Sequence, residues 1–158
     1  SRGLGDVYKR QDYAPTSRDD GWQVTAAQRL DINVLRALAG RLRLRVAAIV
    51  PDASALGAFV PLLNPQSQGL AWRDENHWLW ATQEAWGCVT CDEVKSLSQL
   101  AEQLQVPLRL CADAGDEASN LDVWQVIHRR QPPLPVDGDR YAIALGLALG
   151  SEHHDACR

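Results

Sequence analysis

Two cysteines three positions apart, Cys88 and Cys91, form a CxxC pair. Such a pair supplies two of the four ligands of a structural zinc site, or a redox dithiol where it stands at a helix N-terminus. Zinc requires a second pair, whereas Cys111 and Cys157 are single and far apart along the chain. Because a helix is predicted from about Asp92, a redox dithiol at its N-terminus remains an alternative. The simpler interpretation is that both cysteines are reduced, small residues beside the end of a strand.

Three carboxylates, Asp113, Asp116 and Glu117, follow a strand predicted at residues 107–111. Open α/β sheets bind their ligands beyond the carboxyl ends of strands, where a carboxylate can hold a metal or a ribose. A solvated loop is the default interpretation of the same residues.

A second group of metal-binding residue types ends the chain, where His153 and His154 stand within residues 152–157. A polar tail does not preorganise its ligands, so a metal is not expected there. The sequence also contains no GxSxG, P-loop or GxGxxG motif. No group of residues forms a catalytic constellation, and we therefore predict no catalytic residue and no metal site.

Four of the six tryptophans lie in residues 70–87, which predict a β-hairpin followed by a third strand. A turn at residues 75–76 places Arg73 opposite Trp78, and Trp72 opposite Leu79. One face then carries Leu70, Trp72, Leu79 and Ala81, and the other carries Ala71, Arg73, Trp78 and Trp80. Both faces are largely apolar, which predicts burial on both sides or a partner contact, with burial favoured.

The chain before the hairpin predicts a loop, a helix, a strand and a second helix. Residues 12–23 are polar and loop-like, and Thr25 with Gln28 has capping-box spacing at the start of the first helix. The apolar stripe of that helix comprises Leu30, Val34, Leu38 and Leu42. The strand is RVAAIV at residues 45–50, and the second helix carries Leu56, Phe59, Val60 and Leu63.

The chain after the hairpin predicts three more helices and one strand. A second capping box, Thr90 with Glu93, opens a helix that continues to Leu104. A short helix at residues 121–127 and a small-residue helix at residues 141–149 follow the strand at 107–111. Together these elements predict an α/β domain with a mixed sheet and packed helices.

The composition is that of an ordinary globular domain. The chain has 158 residues and a net charge of −4, which gives no basic surface for direct nucleic-acid binding. No apolar run approaches the roughly 20 residues of a membrane span. The GxxxG of Gly146 and Gly150 therefore predicts close packing of a helix in a core.

Three segments are expected from the composition along the chain. The sequence contains no methionine, which predicts a fragment or a processed product. Residues 1–11 resemble translated sequencing-adaptor DNA and are expected to be foreign, with a native disordered arm as the alternative. Residues 12–150 are expected to form the domain, and residues 151–158 a disordered tail.

Five blocks, in order, resemble the PilM-type pilus assembly proteins, and most of all their HofM branch, which is linked to the use of external DNA as a nutrient. The blocks are VTAAQ at 24–28, AAIVPDASAL at 47–56, GLAWRDENHWLWATQEAWG at 69–87, RQPPLP at 130–135 and YAIALGLALG at 141–150. The resemblance implies an actin-like ATPase fold of the ribonuclease H-like class, of which this chain would be the C-terminal lobe only.

The resemblance also implies a location and a partner. A PilM-type protein is cytoplasmic and binds the N-terminal peptide of an inner-membrane protein, PilN, whose counterpart in this branch would be HofN. Contact with the membrane would then pass through that partner.

In the family's fold, the second lobe begins with a strand pair whose Asp-x-Gly turn approaches nucleotide phosphates. By this resemblance, Trp72 stands where the aspartate belongs and Asp74 where the glycine belongs. A side chain at the glycine position blocks close approach of the backbone, and a carboxylate repels phosphate. The adenosine loop corresponds to residues 110–115 and keeps one glycine, so Asp113 and Gly115 are the weak cofactor-binding candidates.

Both departures imply a scaffold protein without ATP hydrolysis and without a cofactor. The alternative is an ATPase that binds ATP with Mg²⁺ in the full-length protein and switches pilus assembly contacts. Direct DNA binding is a third class, which the acidic charge balance disfavours.

Overall fold

Two compact units, residues 1–49 and residues 50–158, make up the chain. The structure is a computed structural model that describes residues 10–18, 21–111, 120–127, 130–133 and 135–155. Residues 112–119 and most of residues 1–11 therefore lie outside the described residues.

The first unit is a β-hairpin followed by a helix. Strand β1 (Gln11–Arg18) pairs antiparallel with β2 (Gly21–Gln28), and helix α1 (Arg29–Arg41) follows directly. The Arg29 Nε atom lies 2.9 Å from Asp12 Oδ1, so an ion pair joins the first turn of the helix to β1.

The predicted loop at residues 12–23 and the predicted helix start at Thr25 are wrong. Thr25 lies in β2, where it pairs with Ala14, and Gln28 precedes the helix without a side-chain cap. Strand pairing over eight residues gives this segment a series of backbone hydrogen bonds, which outweighs the local capping signal that Thr25 offers.

The predicted helix is confirmed as α1, but its apolar stripe is not a core. Leu30, Val34, Leu38 and Leu42 are all exposed, and none of the residues of α1 is buried. Residues 45–50, predicted as a strand, form no strand in the structure. A strand requires a neighbour with which to pair, and no strand among the described residues pairs with this segment.

The second unit is built on a five-stranded mixed sheet in the order β5-β4-β3-β6-β7. Its strands are β3 (Gly69–Arg73), β4 (His77–Thr82), β5 (Trp86–Thr90), β6 (Leu108–Cys111) and β7 (Asn120–Leu121). The strands β3, β4 and β5 form an antiparallel meander, whereas β6 runs parallel to β3 and β7 parallel to β6.

The predicted hairpin is confirmed in its register. Arg73 pairs with Trp78 and Trp72 pairs with Leu79, so the turn lies at residues 74–76. The two faces are also as predicted, because Leu70 and Ala81 belong to one hydrophobic cluster and Ala71 and Trp78 to another.

Helices cover the sheet on both faces. On one side lie α2 (Asp52–Leu56), a 3-10 helix at Gly57–Leu62 and α4 (Ala142–Asp155), whose cluster contains the fully buried Leu56 and Phe59. On the other side lies α3 (Leu97–Leu104), whose Leu100 packs in the cluster of Trp78 and Val94. The prediction of burial on both sides is therefore confirmed.

The second capping box forms, but it does not open a helix. Glu93 Oε2 accepts hydrogen bonds from the backbone nitrogen and the hydroxyl of Thr90, at 3.2 and 2.9 Å, within a turn. Helix α3 starts later, at Leu97, where Ser96 Oγ accepts from the backbone nitrogen of Gln99 at 3.2 Å. The predicted helix start at about Asp92 is thus wrong, because residues 91–93 form a turn and Ser96 caps the helix instead.

Two later elements also differ from the prediction. Residues 121–127 were predicted as a helix. In the structure, Leu121 is the last residue of strand β7, and a 3-10 helix follows at Val123–Val126. Helix α4 is confirmed, but it extends to Asp155, beyond its predicted end at Leu149 and into the segment predicted as a tail.

The GxxxG packing is confirmed at its first glycine. A Cβ atom on Gly146 would overlap the carbonyl oxygen of Ala55, so α4 approaches the backbone of α2 directly. A Cβ on Gly150 would meet Ala58 Cβ at 4.0 Å, an ordinary contact. The motif therefore packs two helices within a globular core.

Candidate functional site

The turn of the β3–β4 hairpin is closed by the side chain of Asp74. Its Oδ1 atom accepts hydrogen bonds from the backbone nitrogens of Asn76 at 2.7 Å and His77 at 2.5 Å. These hydrogen bonds, that of Asn76 first, hold the pKa of Asp74 below its ordinary value. The backbone N–H groups of the turn thus already have an anionic acceptor.

Trp72, the other residue predicted to replace part of a phosphate-binding turn, is held in place by a hydrogen bond of its indole. Its indole Nε1 donates to the backbone carbonyl of Asp139 at 3.0 Å, and Trp124 Nε1 donates to that of Gly138 at the same distance. Trp124 also meets Tyr141 edge to face, with ring centroids 6.2 Å apart. Two indoles therefore fix the 3-10 helix at Gly138–Tyr141, which leads into α4.

An open groove runs between this turn and the 3-10 helix. It carries side chains of both charges around one half-buried indole, and it is lined by Trp72, Arg73, Asp74, Glu75, Asn76, Asp139 and Arg140. Arg140 faces Asp137 at 3.8 Å, and the guanidinium carbon of Arg73 lies 5.1 Å from the centre of the Trp78 ring. Both cations of the groove thus have a partner within this unit.

The other face of the hairpin holds the segment that leads into α3. Trp78 is almost fully buried, and its Nε1 donates to the backbone carbonyl of Val94 at 2.9 Å. The Trp80 indole covers Gly87, where an added Cβ would lie 2.7 Å from Trp80 Cζ2. The tryptophans of the hairpin are thus packing residues, as the favoured interpretation of the sequence predicts.

The predicted cofactor candidates cannot be placed. Asp113 and Gly115, with Asp116 and Glu117, lie outside the described residues, as do the side chains of His153 and His154. Within the described part of the chain, no group of three or more His, Cys, Asp or Glu residues is arranged to hold a metal ion.

Of the CxxC pair, Cys88 is the third residue of β5 and Cys91 follows the end of that strand, and both are free thiols. Cys88 is exposed, and partial burial of its thiol, with the nearby Asp74, Cys91 and Glu93, raises its pKa. Cys111, at the end of β6, is buried, and its burial raises the pKa strongly. Raised values favour the neutral thiol, the opposite of what an activated nucleophile requires.

The residues that sequence reasoning missed are those of the 3-10 helix, Asp139 and Arg140. Asp139 is 67 positions from Trp72 along the chain, so no local pattern connects the two. The surrounding run of prolines and aspartates predicts only an irregular connector. The signal that pointed to this region was the tryptophan itself, because a half-buried indole N–H generally finds an acceptor.

Among solved structures, the chain shares its fold with a mixed α/β domain of a bacterial secretion system. It matches the cytoplasmic domain of EpsL, an inner membrane component of the type II secretion system of Vibrio cholerae, with a TM-score of 0.56 and 15% identity. The match covers 89% of this chain and 56% of that chain. This likeness concerns the fold alone.

The amino-acid sequence gives the closer relationship. The chain is 45% identical over 144 residues to the DNA utilization protein HofM of Escherichia coli strain K12, which marks the two as homologues. The alignment covers 91% of this chain and 55% of HofM, so the chain spans about half the length of its curated relative. The predicted resemblance to HofM is thereby confirmed.

No family model matches the sequence. Among the residues that the structure describes, no helix is both long and apolar enough to cross a membrane. The PilM-type assignment, the actin-like class and the C-terminal position remain predictions.

Proposed function

We propose that this chain is part of a cytoplasmic scaffold of an inner-membrane, pilus-like assembly complex that serves DNA utilisation. The observation that carries the proposal is the homology to HofM over nearly the whole chain. The fold shared with the cytoplasmic domain of EpsL supports an assembly role, since EpsL is an inner membrane component of a secretion system.

The proposal includes an actin-like, ribonuclease H-like fold that does not hydrolyse ATP. Its support is the chemistry of the hairpin turn. A phosphate would need the backbone N–H groups of Asn76 and His77, but the carboxylate of Asp74 accepts both. A phosphate at this turn would also meet the negative charge of Asp74, which repels it.

The proposed partner is an inner-membrane protein of the PilN or HofN type, bound through its cytoplasmic N-terminal peptide. Attachment to the membrane would then be peripheral and would pass through this partner. The acidic net charge of −4 supports a role without direct contact to nucleic acid.

A chimeric protein tests the scaffold role. Residues 12–155 of this chain would replace the aligned region of E. coli HofM in a strain that lacks HofM, and growth on DNA as a nutrient would be measured. We expect growth to be restored, and the chimera to co-purify with the HofN N-terminal peptide equally with and without ATP. Failure to restore growth with a stably expressed chimera would contradict the homology-based assignment.

The same chimera tests the absence of ATP chemistry. We expect neither ATP turnover nor saturable binding of ATP with Mg²⁺. Saturable binding that is lost on Gly115→Trp, but kept in the exposed-site control Gln103→Trp, would overturn this proposal in favour of a nucleotide-dependent switch.

A further inference from the structure

The first unit exposes the apolar side chains that a core would normally contain. The stripe of α1 is between half and three-quarters exposed, with Leu30 at 73%, Val34 at 57%, Leu38 at 50% and Leu42 at 61%. A contiguous apolar surface of this kind marks an interaction site. A two-stranded hairpin with one helix also needs a covered face for its stability.

The segment after α1 lacks a partner for its backbone as well. Residues 44–49 are irregular, and their apolar side chains Leu44, Val46 and Ile49 are exposed. The backbone nitrogen of Leu44 donates a hydrogen bond to the backbone carbonyl of Ala39, near the end of the helix. The backbone from Arg45 to Ile49 makes no hydrogen bond to any residue that the structure describes. Residues 45–49 therefore have the sequence of a strand but do not pair with any described strand.

The unpaired backbone decides which kind of partner fits. A lipid surface would cover the leucines of α1, but hydrocarbon offers neither donors nor acceptors to the peptide groups of residues 45–49. A partner helix would likewise satisfy side chains alone. The open edge of a β-sheet supplies both backbone hydrogen bonds and an apolar face.

The order of elements points the same way. Helix α1 ends at Arg41, and only a short connection separates it from residue 44. In α/β architectures, a helix that leads directly into a strand packs its apolar stripe on the sheet that the strand joins. One sheet can therefore cover both features.

We propose that residues 44–49 add as a strand to the edge of a β-sheet outside the described residues, and that α1 packs its leucine stripe on a face of that sheet. The proposed source of the sheet is the part of a HofM-length chain that lies outside the 144 aligned residues. The chain spans 55% of HofM and 56% of the EpsL domain, so both relatives have further sequence long enough for a sheet. This inference does not depend on whether ATP is bound or hydrolysed.

The experiment uses the full 158-residue chain, with the part of E. coli HofM outside the aligned region added in trans as the probe. We expect a one-to-one complex by light scattering. Hydrogen exchange at the amides of residues 45–49 should be fast in the chain alone and at least about tenfold slower in the complex, because strand pairing protects the amides.

Surface variants test the two halves of the interface. The double variant Val34→Asp, Leu38→Asp and the variant Val46→Pro should each weaken the complex at least about tenfold. Val136→Asp is the control, because Val136 is 88% exposed and lies in the second unit. It should bind as tightly as the unchanged chain.

Four results would overturn the proposal. Two of them concern the probe: no complex forms, or a complex forms in which the amides of residues 45–49 still exchange fast. The other two concern the chain without the probe: these amides are protected in the monomer, or they are protected in a dimer of the chain. Binding of vesicles of anionic lipid that competes with the probe would show that α1 serves a membrane instead.

Discussion

The indole nitrogen of Trp72 lies 3.0 Å from the backbone carbonyl oxygen of Asp139, to which it donates a hydrogen bond. Trp72 is on the central strand β3, and Asp139 is in the 3-10 helix that leads into α4. Trp72, for which the sequence resemblance predicted the position of a phosphate-binding aspartate, is therefore a structural link between the sheet and a helix. The equivalent link on the opposite face joins Trp78 to Val94.

Replacing these indoles with phenylalanine should separate the hydrogen bond from the packing. Trp78→Phe removes the donor to Val94 inside the core and should lower the free energy of unfolding by about 2–3 kcal/mol, because a buried carbonyl is left without its partner. Trp72→Phe, at a half-buried site, should cost about 1 kcal/mol. Urea denaturation measures both.

Trp86→Phe is the matched control for that series. Trp86 is half-buried, as Trp72 is, but its indole N–H donates no hydrogen bond within the described residues. Because Trp72 and Trp86 are both half-buried, their variants can be compared directly. A loss of stability in Trp86→Phe as large as that in Trp72→Phe would show that ring volume, and not the hydrogen bond, accounts for the effect.

The two glycines of α4 should respond in opposite ways to alanine. Gly146→Ala places a methyl group on the carbonyl oxygen of Ala55, and such overpacking typically costs about 1–3 kcal/mol or more. Gly150→Ala meets Ala58 Cβ at 4.0 Å and should be neutral or stabilising by up to about 1 kcal/mol, since alanine favours helices. Thermal unfolding of the two variants provides the comparison, and equal midpoints would contradict the close approach of α4 to α2.

The closed turn of the hairpin should make stability depend on pH. The pKa of Asp74 in the folded chain lies below its ordinary value of 3.8, because backbone N–H groups stabilise the carboxylate. A group with a lowered folded pKa stabilises the fold above its unfolded pKa, and this contribution is lost as the pH falls through the folded pKa. The difference in unfolding midpoint between the unchanged chain and Asp74→Ala should therefore be largest near pH 7 and shrink toward about pH 2.

Glu75→Ala serves as the control for this pH dependence. Glu75 lies in the same turn and is exposed, and its side chain makes no hydrogen bond within the described chain. The difference in unfolding midpoint between the unchanged chain and Glu75→Ala should stay small across the same pH range. A difference for Asp74→Ala that is equally large at both ends of the range would contradict the assigned role of the carboxylate.

Local signals in the sequence predicted the hairpin well. Its register depends on the turn at residues 74–76 and on the alternation of apolar residues beside it, and both act over a few positions. The pairings of Trp72 with Leu79 and of Arg73 with Trp78 were therefore predictable. The acceptor of Trp72 was not, because Asp139 reaches it only through the packing of α4.

The errors arose where a local pattern competed with pairing over a longer distance. Thr25 has the spacing of a helix cap, but its segment pairs with β1 along eight residues and forms strand hydrogen bonds there. The sequence of residues 45–50 has strand character, but a strand forms only where a segment pairs with another strand, and no described strand pairs with these residues. Of the candidate site, Trp72 and Asp74 were identified from the sequence, whereas Asp113 and Gly115 lie outside the described residues.

The thiols should react with iodoacetamide according to their burial and pKa. Cys88 is exposed, but its pKa is raised above the ordinary value of 9.0, mainly by desolvation, so its labelling at pH 7 should be slower than that of an unstructured cysteine peptide and should rise steadily with pH. Cys111 is 3% exposed and should remain unlabelled until the chain is unfolded in urea. Peptide mass spectrometry resolves the sites, and Cys88→Ser confirms the assignment. Fast labelling of Cys88 at neutral pH would contradict the raised pKa and restore the case for an activated CxxC dithiol.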